Sequence, residues 1–186
     1  VTTLTLRPMD DDDVAGVLAL EREIFPHPWT EGILQDELAV RADRLMNRRV
    51  TAAAFRDPKT LEDFDFAFNP SVKKKQIFDL ASCRFVREAR DVLLLGPPGT
   101  GKSHLVQAIG YQAIKSGYTV LYRSIFDVVR DFLHDEALGG EEKVLARYLK
   151  PELLIVDDMG MKQLPKRSGE YLFEISRAMT ARLDLP

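Results

Sequence analysis

Short apolar runs alternate with amphipathic stretches along most of this chain, and that alternation predicts strands separated by helices. Residues 2–8, TTLTLRP, alternate β-branched residues with leucine and stop at Pro8, which predicts a short strand. Val14, Val17, Leu18 and Phe25 recur on one helical face, and EGILQDELAV predicts a second helix that Thr30 can cap. Ile33 stands where a full capping box needs glutamate or glutamine. RADRLMNRRV is a basic helical run, FRDPKTLEDFDF an aromatic and acidic stretch, and residues 71–89 read as helical.

From there the rhythm sharpens. VLLL (Val92 to Leu95) reads as a buried strand, GPPGTGKS as a loop, and HLVQAIGYQAIKSG as a helix ended by Gly117. TVLYRS predicts a second strand, IFDVVRDFLHDEA and EEKVLARYLK two helices, ELLIVDD a third strand and GEYLFEISRAM a further helix. The expected fold class is therefore α/β, a parallel sheet flanked by helices. The changes of pattern divide the chain into residues 1–40, a short β-α-α appendage; 41–90, a helical part; 91–178, the α/β core; and 179–186, a tail.

Composition changes this picture little. At 45% hydrophobic and 30% charged, the 186 residues suit one globular domain with an appendage. No run approaches the ~18 apolar residues of a membrane helix. The single cysteine, Cys83, fits a reducing, cytoplasmic setting and reads as a small buried thiol. A formal net charge of −3 gives no global pull toward nucleic acid, so any DNA contact must come from a local patch. Arg41, Arg44, Arg48 and Arg49 form one such group and Lys73, Lys74 and Lys75 another; both equally suit solvated helix faces. The run Asp10 to Asp13 fits a helix N-terminus, where free amides and the dipole favour carboxylates, better than a metal site.

The chemistry lies in Gly96-Pro97-Pro98-Gly99-Thr100-Gly101-Lys102-Ser103, followed by His104. It matches GxxxxGK[S/T] in full, with an apolar run before it and a helix after it. Glycines let the backbone turn so that several amides face one phosphate, and the helix adds its positive end. Lys102 is expected to reach the β- and γ-phosphates of ATP, and Ser103 to place its hydroxyl on Mg²⁺. ELLIVDD supplies the other half of such a site: Asp157 is the expected metal acid and Asp158 the expected water-activating one. Lys102 and Asp158 are thus the candidate catalytic pair.

On these residues the chain resembles the IstB family, ATP-binding helpers of insertion-sequence transposases related to the DnaC helicase loaders within the AAA+ ATPases. The matching text is KTLEDFDFAFNPSVKKKQIFDLASCRFV, DVLLLGPPGTGKSHLVQAIG, TVLYRS, LLIVDDMG and SGEYLFEIS, within residues of about 41–175. The resemblance implies a P-loop NTPase of the AAA+ type that binds ATP and Mg²⁺. It further implies a homo-oligomer that assembles on double-stranded DNA and supports a transposase. Phe64 to Phe66 would lie close to the nucleotide, or simply pack the core.

Two departures leave alternatives open. Residues 1–40 resemble instead the opening of RimI-type GNAT acetyltransferases, without the glycine-rich loop that would hold acetyl-CoA. After Ile175 the IstB-like text stops, and with it go a sensor-bearing strand between the phosphate-loop and acidic strands and an arginine finger. A C-terminally truncated core of this kind predicts an unfilled central slot in the sheet, to be completed by TTLTLR or another chain. A helicase-loader-like ATPase, a non-catalytic nucleotide binder and an acetyltransferase remnant are the remaining readings.

Overall fold

A computed structural model describes residues 7–57, 59–137, 141–159, 163–164 and 166–183, with the side chains of 141 and 180–183 left aside. The expected strand at 2–8 falls almost wholly outside these residues. The chain divides into two compact units, 1–48 and 49–186.

In the first unit, α1 (Val14–Ile24) and the start of α2 (Glu31–Ala53) close over Val14, Leu18 and Leu34. The aspartate run acts as a cap. The Asp10 carboxylate accepts from the Asp12 amide at 3.2 Å, and Asp13 accepts from the Asp10 amide at 3.0 Å. Arg7 then closes on Asp13 at 2.6 Å. Among the described residues no cluster of three potential metal ligands occurs, here or elsewhere. The helix α2 runs unbroken through residue 41, where composition changes but helical periodicity does not.

The second unit carries α3 (Lys74–Ala81), α4 (Arg84–Arg87), α5 (Lys102–Lys115), β1 (Val120–Ser124), α6 (Ile125–Ala137), α7 (Glu141–Leu149), β2 (Leu153–Asp157) and α8 (Ser168–Leu183). The helix expected over 71–89 is broken at Cys83, whose φ of 56° is left-handed and re-aims the chain between α3 and α4. The strands β1 and β2 pair in parallel, Val120 with Leu153 through Ser124 with Asp157.

Strand alternation assigns the two faces of this sheet. Leu121, Leu154 and Val156 pack with Val128, Phe132, Tyr148 and Tyr171 beneath α6, α7 and α8. Two phenols fix those helices: Tyr148 donates to Asp131 and Tyr171 to Glu136, both at 2.8 Å. Tyr122 and Ile155 face α5 instead. That helix lies so close that a Cβ on Gly110 would meet Ile155 at 2.7 Å and Phe55 at 3.0 Å.

One expected strand does not join the sheet. Residues 92–95 make no ladder, and Leu93 and Leu95 are 75% and 82% exposed. An apolar run becomes a strand only beside a partner, and among the described residues none lies alongside it. Only Leu94 turns inward, onto the cluster of Phe64, Ile77 and Leu105.

Candidate nucleotide site

The loop after Leu95 turns into α5 through two left-handed glycines, Gly99 at φ 76° and Gly101 at φ 85°. They are glycine for different reasons. A Cβ at Gly99 would meet nothing within 4 Å, whereas one at Gly101 would strike the Phe64 ring at 2.6 Å. Within the loop, Thr100 Oγ1 donates to the Pro97 carbonyl at 2.9 Å. The Lys102 ammonium donates to the carbonyls of Gly96 (2.9 Å) and Pro97 (2.7 Å), so it already lies across the hollow where the helix N-terminus presents its free amides.

Residues 60–69 frame this loop. Thr60 accepts from the His104 ring, whose Nε2 is 3.0 Å from the carbonyl oxygen, which fixes that nitrogen as the donor. Phe64 stands edge-on to the same ring. Asn69 Nδ2 donates to the Thr100 carbonyl at 3.2 Å. Phe64 is thus both a core residue and a wall of the loop. Beside the loop a cavity of about 560 Å³ opens between Gly96, Thr100 and Lys102 on one side and Val72, Gln76 and Leu80 on the other. A void bounded by both the phosphate loop and apolar side chains has room for a nucleoside.

Asp157 ends β2 on the face that looks toward α5. Its carboxylate accepts from the Tyr122 phenol at 2.8 Å and from the Asp158 amide at 2.8 Å. Burial pushes the Asp157 carboxyl up, but the Ser103 and Tyr122 hydroxyls, the Asp158 amide and the Arg56 charge outweigh it, and it stays below the usual carboxylate range. Burial, followed by that bond to Asp157, pushes the Tyr122 phenol well above its ordinary value. Asp158 sits at φ 63°, left-handed, and its Oδ2 is 2.6 Å from Arg56 Nη2.

A metal fits this donor set. Ser103 and Asp157 bring a hydroxyl and an ionised carboxylate together at the first turn of α5. Such a pair suits Mg²⁺, which takes few protein ligands and fills its sphere with phosphate oxygens and water.

Four site residues carry no sequence signal: Arg56, Asn69, Gln107 and Tyr122. Gln107, 5% exposed, accepts from the amides of Arg56 (3.1 Å) and Asp57 (3.3 Å) and donates to the Ser103 carbonyl (3.1 Å). Of the predicted basic groups, Lys73 lines the same cavity. Arg41 pairs with Glu37 at 2.9 Å, and Lys74 lies over the Phe66 and Phe78 rings.

Comparison with known proteins supplies the relatives. The family model described as IstB-like ATP binding protein matches residues 18–182, which takes in much of the segment that resembles RimI-type enzymes. The chain is 34% identical over 143 residues to the insertion sequence IS5376 ATP-binding protein of Geobacillus stearothermophilus, covering 77% of this chain and 57% of that protein. It is 32% identical over 142 residues to the IS21 ATP-binding protein of Pseudomonas aeruginosa, covering 76% and 54%. The chain thus spans little more than half the length of these relatives. Among solved structures, AMPPCP-bound DnaA from Aquifex aeolicus superposes with a TM-score of 0.59 at 24% identity, over 69% of this chain and 40% of that one. That likeness establishes the P-loop, AAA+ type of fold. No described helix is long and apolar enough to cross a membrane.

Proposed function

This chain belongs to the IstB-like ATP-binding protein family, and from that premise we propose that it binds Mg²⁺-ATP as the helper of a transposase on double-stranded DNA. The observation that carries this reading is the convergence of Lys102, Ser103 and Asp157 at the first turn of α5. Lys102 exchanges its loop carbonyls for β- and γ-phosphate oxygens, and the amides of residues 99–103 turn toward the same group. Ser103 and Asp157 hold Mg²⁺, which supplies charge neutralisation at the phosphates. Asp158 orients the attacking water when hydrolysis occurs. The double-stranded DNA, the transposase, a homo-oligomeric assembly and a cytoplasmic location are part of this proposal; the relatives' names, which place them in insertion sequences, support a role linked to transposition.

A second reading, nucleotide binding without turnover, draws support from two features. Residues 92–95 stand outside the sheet, and Asp158 is engaged by Arg56. One assay separates the two readings. Mg²⁺-ATP binding and phosphate release are measured for the wild type, Lys102→Ala and Asp158→Asn, with and without duplex DNA. Turnover stimulated by DNA and abolished in both variants supports the helper ATPase. Binding lost in Lys102→Ala with no turnover in any sample supports the second reading. Equal binding by wild type and Lys102→Ala removes both.

A further inference from the structure

Consecutive residues at the end of β2 carry carboxylates, and the cation paired with the second is not the loop lysine. The Lys102 ammonium is spent on the carbonyls of Gly96 and Pro97. Arg56, from a segment far earlier in the chain, makes the ion pair with Asp158. We propose that Arg56 is a resident cation of the phosphate site, neutralising Asp158 while no divalent ion is bound and giving way when Mg²⁺ enters beside Asp157. The inference rests on Asp157 being the metal acid, as proposed above.

Three observations support it. Asp157 and Asp158 are consecutive residues, and both charges act on the same Arg56 guanidinium and the same Tyr122 phenol. Adjacent carboxylates repel each other, so the pair is stable when a cation accompanies it. The backbone of Arg56 is fixed: its amide and that of Asp57 both donate to Gln107 Oε1, and Gln107 Nε2 donates to the Ser103 carbonyl. The segment is therefore tied to the turn of α5 that carries the other metal ligand. The guanidinium is not tied in this way. The Arg56 side chain is 51% exposed and the Asp158 side chain 21%, so the arginine can swing into solvent while its backbone stays in place. A divalent ion and a guanidinium next to the same pair of acids repel, and the stronger, doubly charged ligand displaces the weaker.

The test reads metal binding directly and needs no turnover. The full chain is saturated with ADP and titrated with Mn²⁺, with free Mn²⁺ followed by electron paramagnetic resonance. Removing a competing surface-accessible ion pair predicts roughly three- to tenfold tighter Mn²⁺ binding by Arg56→Ala, with Arg56→Lys close to wild type. Asp158→Asn added to Arg56→Ala abolishes the gain. Unchanged or weaker Mn²⁺ binding by Arg56→Ala overturns the proposal. Circular dichroism melting checks the fold of each variant, and Arg56→Gln replaces Arg56→Ala if the latter melts early. Asp157→Asn separates the layers. If it leaves Mn²⁺ binding intact, the metal role of Asp157 fails and this inference with it. If it weakens binding while Arg56→Ala changes nothing, this inference alone fails.

Discussion

Tyr122 donates a 2.8 Å hydrogen bond to Asp157, although the ladder pairs Tyr122 with Ile155 and Asp157 with Ser124. The bond runs diagonally along the sheet face that looks toward α5, from the middle of one strand to the end of the other. A buried phenol thereby holds the carboxylate that faces Ser103. The sheet itself, not a loop, sets the position of the acid proposed to hold the metal.

The first prediction concerns pH. The Asp157 carboxyl is held below its unfolded value, so its contribution to stability is present above about pH 4 and is lost as pH falls through the lower, folded value. The melting temperature of Asp157→Asn should trail wild type by a constant margin at neutral pH. That margin should shrink as the pH drops below about 4. A margin that stays constant down to pH 3 would show that the carboxylate form is not preferred by the fold.

Lys102→Ala should weaken ATP binding by about 10- to 100-fold, because a charge-assisted hydrogen bond contributes ~1.5–3 kcal/mol. Isothermal titration calorimetry at fixed Mg²⁺ reads this directly. The fold should be almost untouched, since the ammonium bonds only groups of its own loop, the Gly96 and Pro97 carbonyls and the Thr100 hydroxyl.

The two left-handed glycines should separate by cost. Gly99→Ala meets only the backbone penalty, on the order of 1 kcal/mol. Gly101→Ala adds a clash with the Phe64 ring at 2.6 Å and should cost roughly 1–3 kcal/mol more. Urea unfolding of both variants checks the order. Equal midpoints would mean that the ring moves aside freely.

Gln107→Leu preserves volume but leaves two amides and a carbonyl without their partner. A loss of ~1–3 kcal/mol in urea unfolding is expected, with an unchanged slope. Wild-type stability in this variant would show that water replaces the amide.

Local pattern carried the sequence reading where neighbours in the chain are also neighbours in space. The span of α6, Ile125–Ala137, is the one its amphipathic period gives, and the acids after the apolar run of β2 stand where a strand end puts them. The apolar run at 92–95 stays out of the sheet for a physical reason. Hydrophobicity marks a segment as fit for burial but does not provide the adjacent strand, and Leu93 and Leu95 stay in water without one. A helix such as α2 tolerates a change of charge along its length and runs unbroken past residue 41. Arg56 and Gln107 have no local signature because their partners are set by tertiary packing. They lie 51 positions apart, and Arg56 and Asp158 lie 102 apart.

The bend at Cys83 has a practical consequence. This sole thiol is 1% exposed, and burial raises it above its ordinary ionisation range. It resists alkylation for as long as the α3–α4 corner stays closed and reacts only on opening. The labelling rate of a single native atom is therefore a clock for local opening next to the cavity beside the phosphate loop. Bound nucleotide, by tightening the cavity wall that α3 provides, should slow that clock without any engineered probe.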